Sequence, residues 1–324
     1  QSVRCIKIPK KAQEILTSYW IFLGSPTENL SFVEFATSLH SYISLGGQIP
    51  KKRSYEISIL LAEEIEKNGG YIKYLSTVKE ILFKDKKIAG VQLTNGEIYK
   101  TNHIISSVSP TFVYGKLIPN QMVPKEALKL TNSRVLGAQG FAIYLGLNQT
   151  AEDLGLNDYT YIIHHSLNSN KEYQYRSSSK NDSSVAVVIN NANPLCSPKG
   201  TCMINLVSTF FGDAFLRNVT EENYFDLKDK IAKEIINNFE NTTGIKIKPY
   251  IEEIEIATPV TFARYGGHPE GVIYGYKRTG LDNTLPRMLA MGKENFIPNL
   301  RFCGGFDVYA SSYSSAYLSG ELAA

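Results

Sequence analysis

The run NLRFCGGFDVYASSYSSAYLSGELAA, Asn299 to Ala324, carries the clearest chemistry in the chain. Leu300 to Cys303 predict a short buried strand. Gly304 and Gly305 break it, and small residues lead into a helix from Ser314 to Ala324. A strand, a small-residue loop and a helix N-terminus make an anion cradle. Unpaired backbone N–H groups and the positive helix end face a phosphate, and missing side chains let the backbone approach it. Taken alone, this run reads equally well as a plain strand–glycine–helix turn.

No second constellation competes with it. There is no Ser-His-Asp arrangement and no paired-carboxylate motif. Glu63, Glu64 and Glu66 read as a solvated helix face. The four cysteines, Cys5, Cys196, Cys202 and Cys303, contain no C-x-x-C pair, and the five histidines form no ligand pattern. His164 and His165 are adjacent, so on a strand they face opposite ways. No metal site is expected, and the cysteine pattern fits a reducing cytosol without disulfides.

The stretch from Pro50 to Pro110 combines Ser54, a helix to Lys67, Gly69-Gly70, Val78, Asn95-Gly96 and Ser106 to Pro110. In that order these resemble the phytoene desaturase, carotenoid isomerase and retinol saturase group of FAD-dependent oxidoreductases, relatives of the flavin amine oxidases. Leu300, Gly304, Gly305, Phe306, Ser314, Ala316, Ser319 and Gly320 are similar to that group's closing flavin motif. NPLCSPKGTCMINL (Asn193 to Leu206) and TPVTFARYGGHPEGVIYGY (Thr258 to Tyr276) resemble middle segments of the same group.

The resemblance implies bound FAD. Val78 then offers its backbone to the adenine edge. Gly304 and Gly305 lie along the pyrophosphate and ribityl chain, and Asp307 bonds a ribityl hydroxyl. Ser314, Ser315 and Ala316 open the helix that faces the flavin ring. Tyr265, Tyr274 and Tyr276 become substrate contacts over the flavin, with core packing as the equal alternative because tyrosine joins an apolar body to a polar tip. Hydride transfer to a flavin needs orientation and water exclusion more than acids and bases, which suits the missing catalytic motif.

The chain departs from the group in three places. No G-x-G-x-x-G occurs, although such folds use it to hold the ADP pyrophosphate. Lys52-Arg53 stands at a turn where relatives carry glycine, and Ala310-Ser311-Ser312 replaces a glycine run. The expectation is an N-terminally truncated, slightly C-terminally clipped flavoprotein. The alternative is a naturally shortened relative without flavin.

The elements that must position these residues follow from periodicity. Lys10 to Leu23 and Leu30 to Leu45 predict two helices joined at Gly24-Ser25-Pro26. They form core, a substrate wall, or a face resting on lipid. Ser54 to Lys67 predicts a helix capped by Ser54, burying Ile57, Leu60, Leu61 and Ile65 and ended by Gly69-Gly70. Tyr71 to Leu75, Val78 to Phe83, Ile88 to Leu93 and His103 to Val108 alternate as strands, with turns at Asp85-Lys86 and Asn95-Gly96. Leu136 to Leu147, Tyr159 to His164, Val185 to Ile189, Cys202 to Phe210 and Tyr250 to Ile256 suggest a second sheet. Glu221 to Glu240 is a long amphipathic helix, and Arg176 to Ser184 a polar surface loop.

The fold class is therefore mixed α/β: an incomplete Rossmann-like FAD-binding domain with an inserted sheet-plus-helix substrate domain. The expected division is 50–110 and 291–324 for FAD, and 1–49 and 111–290 for substrate. A chain of 324 residues suits about two domains. Its net charge of +3 gives no argument for nucleic acid. The 20 tyrosines and 15 phenylalanines fit an aromatic substrate tunnel or biased codon usage. No apolar run reaches the roughly 20 residues needed to span a bilayer. The expected setting is cytoplasmic, with peripheral membrane contact. The expected partner is an apolar small molecule, a polyene such as a carotenoid or retinoid. A flavin amine oxidase and a cofactor-free binder resembling Rab GDP-dissociation inhibitors are the alternatives.

Overall fold

Alternating apolar residues build most of the larger sheet. The computed structural model describes residues 8–48, 50, 54–307 and 312–324. Lys52, Arg53, Ala310, Ser311 and Cys5 lie outside the described residues. The N-terminal part holds α1 (Lys10–Thr17), α2 (Phe32–His40) and α3 (Tyr55–Lys67). The predicted first helix tightens into a 3-10 turn at Ser18–Leu23, and the second continues as a π-turn at Ser41–Leu45. The tightening decides burial: Trp20 and Ile21 go inside while Ile15 and Leu16 stay exposed.

A three-stranded antiparallel meander follows: β1 (Val78–Lys84), β2 (Lys87–Leu93) and β3 (Ile98–Lys100). Asp85 and Lys86 both take positive φ, 50° and 62°, as a tight hairpin turn requires. Three expectations fail nearby. Tyr71 to Leu75 form no strand, because no neighbouring strand pairs with them and Tyr71, Tyr74 and Leu75 stay exposed. Ser54 makes no cap bond, since it already sits in helical backbone geometry. Leu60, Leu61 and Ile65 are exposed, because nothing among the described residues covers that face of α3. Gly69 and Gly70 do end the helix, with Gly70 N–H bonded to the Ile65 carbonyl at 2.8 Å.

β4 (Ile104–Ser106) leads into α4 (Pro110–Phe112), a π-turn at Val113–Leu117 and α5 (Lys125–Ser133). Next come β5 (Gln139–Leu147), β6 (Thr160–Ile163), α6 (Ser169–Arg176), β7 (Ser184–Val188) and β8 (Cys202–Phe210). α7 (Tyr224–Thr243), β9 (Ile251–Ala257), α8 (Pro259–Gly266), α9 (Thr284–Leu289), β10 (Leu300–Phe302) and α10 (Tyr313–Ala323) complete the order. The larger sheet runs β6-β7-β8-β5-β9, antiparallel throughout. One face packs Phe141, Ile143, Leu145, Ile204 and Leu206 against Ile231, Ile235 and Phe239 of α7. This is the outcome of period-two strands meeting a period-3.6 helix.

The predicted surface loop from Arg176 to Ser184 is instead partly interior. Arg176, Asn181, Ser183 and Ser184 are buried. Arg176 Nε donates to Glu172 Oε1 at 2.7 Å and its Nη1 to Thr209 Oγ1 at 3.1 Å. Asn181 Nδ2 donates to Ser208 Oγ and to the Thr209 carbonyl, both at 3.0 Å. Polar composition suggested solvent, but Arg176 and Asn181 find their partners inside the fold, on Glu172, Ser208 and Thr209.

A second core gathers Ile81, Ile88, Val113, Tyr114, Ala127, Ile297 and Leu300, with Val78 packed against it. Here β10 pairs in parallel with β4, Leu300 beside Ile104 and Phe302 beside Ser106. Parallel strands joined by a long crossover, with glycine at the carboxyl end, are the Rossmann-like feature of the chain.

Candidate flavin and substrate site

β10 ends at Phe302, and Gly304 takes φ +85°. Among the described residues a Cβ there would meet only Ser107, at 3.8 Å, while the positive φ itself favours glycine. The Gly304 N–H donates to Ser319 Oγ at 2.7 Å, and Ser319 Oγ donates to the Ala316 carbonyl at 2.8 Å. Buried Ser319 thus pins the loop to α10. Ser312 caps α10 by accepting from Ser315 N–H at 3.1 Å, and its carbonyl accepts from Ala316 N–H at 2.9 Å. Two of the three expected flavin-facing N–H groups are therefore engaged. Helix geometry leaves Tyr313 and Ser314 as first-turn donors without an intrahelical acceptor. Ser314 is exposed, while Ser315 and Ala316 are half-buried.

The 274–276 segment presses on the loop. Gly275 has φ +63°, and a Cβ on it would lie 1.9 Å from the Gly305 oxygen. Gly137 N–H donates to the Gly275 carbonyl at 2.7 Å and holds the segment to the strand leading into β5. Phe306 meets the Tyr276 ring edge-on at 5.2 Å and stacks on His268 at 5.9 Å. Tyr276 is buried, and Tyr274 is half-buried, with its ring against Gly24. Tyr265, at the end of α8, is 80% exposed. Val78 opens β1 opposite Leu93, beside an irregularity in the ladder.

An ion network that the sequence did not disclose supports the loop. Arg287 pairs with Asp282 through Nε at 2.6 Å and Nη2 at 2.8 Å, and its Nη1 donates to the Asp307 carbonyl at 3.2 Å. Arg134 Nη2 reaches both Glu294 oxygens, at 2.9 and 3.0 Å. The two guanidiniums lie 5.3 and 5.9 Å from the Tyr276 ring centre. Burial alone would raise the Asp282 carboxyl, but Arg287 hydrogen bonds and the neighbouring arginine charges hold it below its usual value. Burial, with Arg287 nearby, pushes Arg278 down to about 10. Burial also lowers His268 and raises the Tyr276 phenol. The pairs span gaps of five to 160 residues, so only the fold assembles them. Asp307 contributes its backbone here, a role its residue type did not signal.

Among the described residues no cluster of three or more His, Cys, Asp or Glu could hold a metal ion, and no helix is long and apolar enough to cross a membrane. His164 faces inward, 3.4 Å from Glu172, while exposed His165 stacks on Tyr175 at 4.0 Å.

The chain is related to carotenoid and retinoid oxidoreductases and isomerases. It is 27% identical over 302 residues to the all-trans-retinol 13,14-reductase of Danio rerio, covering 87% of this chain and 48% of that protein. It is 25% identical over 215 residues to the chloroplastic prolycopene isomerase of Daucus carota, covering 66% and 34%. It is 22% identical over 298 residues to the phytoene desaturase of Neurospora crassa, covering 88% and 49%. The chain thus spans about half or less of the length of these relatives. No protein-family model matches. The fold resembles an oxidoreductase from Methanosarcina mazei, with TM-score 0.62, 16% identity and coverage of 95% of this chain and 63% of that one. It also resembles a putrescine oxidase variant, with TM-score 0.63, 11% identity and coverage of 97% and 64%. The mixed α/β, Rossmann-like class read from the sequence agrees with both.

Proposed function

We propose that the chain forms part of an FAD-dependent oxidoreductase, of the desaturase, saturase or isomerase type, acting on an apolar polyene such as a carotenoid or retinoid. The observation that carries this reading is the parallel β4–β10 pair ending in Gly304, with the capped N-terminus of α10 tied to it through Ser319. Support for a flavin comes from Gly304, crowded among the described residues only by ordinary contact with Ser107, and from the first turn of α10, which retains donors. Val78, Gly304, Gly305, Asp307, Ser314, Ser315 and Ala316 would hold the cofactor. FAD, when bound, would supply the hydride-accepting or hydride-donating centre. The chain's own residues would orient the polyene and exclude water, with Tyr265, Tyr274 and Tyr276 as substrate contacts, the latter two beside the loop. Residues 50–110 and 291–324 would form the flavin part, and 1–49 with 111–290 the substrate part.

The relatives' names place this reading ahead of an amine oxidase or a cofactor-free binder. A cytoplasmic setting with peripheral membrane contact goes with it, through exposed Val33, Ile43 and Leu45. Vesicle co-sedimentation unaffected by Ile43→Asp would remove that contact. The main test is the visible spectrum of the purified full-length protein after gel filtration. Retained flavin absorbance supports the reading, and a colourless protein that takes up no added FAD overturns it.

A further inference from the structure

The connection from β7 to β8 carries two buried thiols that the candidate flavin site does not use. Cys196 lies within it and is 4% exposed, and Cys202, 1% exposed, is the first residue of β8. The five residues between them, SPKGT, fold back on themselves. Ser197 Oγ donates to the Thr201 carbonyl at 3.1 Å. Thr201 N–H and Oγ1 donate to the Pro198 carbonyl at 3.2 and 2.7 Å, and Gly200 takes φ +85° in the reversal. Ser197 and Thr201 thus close the turn, and Cys196 and Cys202 are the residues that flank the closure.

One side chain grips both arms. Asn190 Nδ2 donates to Ser197 Oγ at 2.8 Å on the first arm. Its Oδ1 accepts from Cys196 Sγ at 3.4 Å and from the N–H of Met203, next to Cys202, at 2.8 Å. The Cys196 sulfur and the backbone leaving Cys202 therefore share one acceptor atom. Burial, followed by the neighbouring Cys196, raises the Cys202 thiol to about 11. Alone, a buried cysteine acts as a small apolar side chain, as Cys202 does in the main core opposite Leu147 of β5. Two cysteines flanking a closed turn also have the arrangement from which a disulfide forms with little backbone movement. The turn lies at the surface: Leu195 is 84% exposed, and Lys199 and Gly200 are exposed. Local opening of this turn alone admits a small oxidant.

We propose that Cys196 and Cys202 form a redox-responsive staple, a dithiol in a reducing medium and a disulfide when a hydroperoxide is present. One sulfur, as thiolate, attacks the peroxide oxygen. The O–O bond breaks, the sulfur becomes a sulfenic acid, and water leaves. The second sulfur attacks the first, the S–O bond breaks, the S–S bond forms and a second water leaves. Two electrons pass from the sulfurs to the peroxide, and both thiol protons end in water. The staple ties the β7–β8 connection to the first residue of β8, the central strand of the larger sheet. It is independent of the flavin reading.

The test treats the reduced full-length protein with hydrogen peroxide, blocks remaining thiols with iodoacetamide and digests with trypsin, which cuts after Lys199 and so separates the two cysteines. The expected product is the Cys196 peptide joined to the Cys202 peptide, lighter than their sum by two hydrogens and parted by dithiothreitol. Peroxide should also raise the melting temperature by a few degrees, reversibly, because a cross-link constrains the unfolded chain. Cys196→Ser and Cys202→Ser should each abolish both signals. Alkylation of both cysteines, oxidation beyond the sulfenic acid in place of the cross-link, or Cys196 joined to Cys5 or Cys303 overturns the proposal. If Cys202→Ser fails to fold, Cys196→Ser decides: a melting shift that persists without Cys196 counts against the staple.

Discussion

Gly275→Ala should be the most damaging single methyl group in the candidate site. The residue sits at φ +63°, where an L side chain costs about 1–2 kcal/mol. Its Cβ would stand 1.9 Å from the Gly305 oxygen and 2.6 Å from the Gly305 carbonyl carbon, against ordinary contacts of 3.4 Å or more. Both atoms are backbone, so no side chain can swing aside. The 274–276 segment cannot simply retreat, because Gly137 N–H holds the Gly275 carbonyl at 2.7 Å. Overpacking of this kind adds about 1–3 kcal/mol. The expected loss is about 2–5 kcal/mol, with weakened flavin retention because Gly305 and Phe306 must shift. Urea denaturation of the full-length protein reads the first effect and flavin release the second. Gly96→Ala is the control: it has φ +91° but nothing within 4 Å, so only the conformational part, about 1–2 kcal/mol, should appear. Equal losses for the two variants would refute the claim that close backbone approach, rather than φ alone, fixes glycine at 275.

Three further outcomes follow from the same geometry. Ser319→Ala leaves the Gly304 N–H without its acceptor and should cost about 1–3 kcal/mol, with faster flavin loss on gel filtration. Arg287→Met strips the Asp282 carboxylate of two hydrogen bonds and should destabilise by about 3–5 kcal/mol in thermal melts. Asp282 is held below its ordinary 3.8, so its contribution is present above that value and lost as pH falls through the folded one. Raising that folded value in the Arg287 variant should therefore shrink the acid-dependent part of the melt. At Glu172, burial opposes ionisation, but the His164 ring 3.4 Å away, the Arg176 charge and hydrogen bonds to the carboxylate win and lower it from 4.5 to about 2. Its contribution, roughly 3 kcal/mol, is complete above about pH 4.5 and disappears toward about pH 2. Glu172→Gln should flatten stability across that window, and an unchanged pH profile would refute the pairing.

What the sequence disclosed, and what it did not, divides along one physical line. Periodicity reports which side chains share a face. It says nothing of what covers that face. The alternation in Cys202–Phe210 and the stripe Ile231, Ile235 and Phe239 were both legible, and the two surfaces meet. The stripe Leu60, Leu61 and Ile65 was just as legible, yet it lies open among the described residues. Turn chemistry is local and read well: Asp85-Lys86, Gly69 and Gly96 all adopt positive φ. The loop after β10 was legible for the same reason, as a strand, a glycine and a helix start within a few residues. Its supports were not. Arg134 meets Glu294 across 160 positions, and Gly275 touches Gly305 across thirty. Tyr265 and Tyr276 show the consequence within one stretch. The sequence offers them as equals, and the fold separates them because Phe306 covers Tyr276 while nothing comparable among the described residues covers Tyr265.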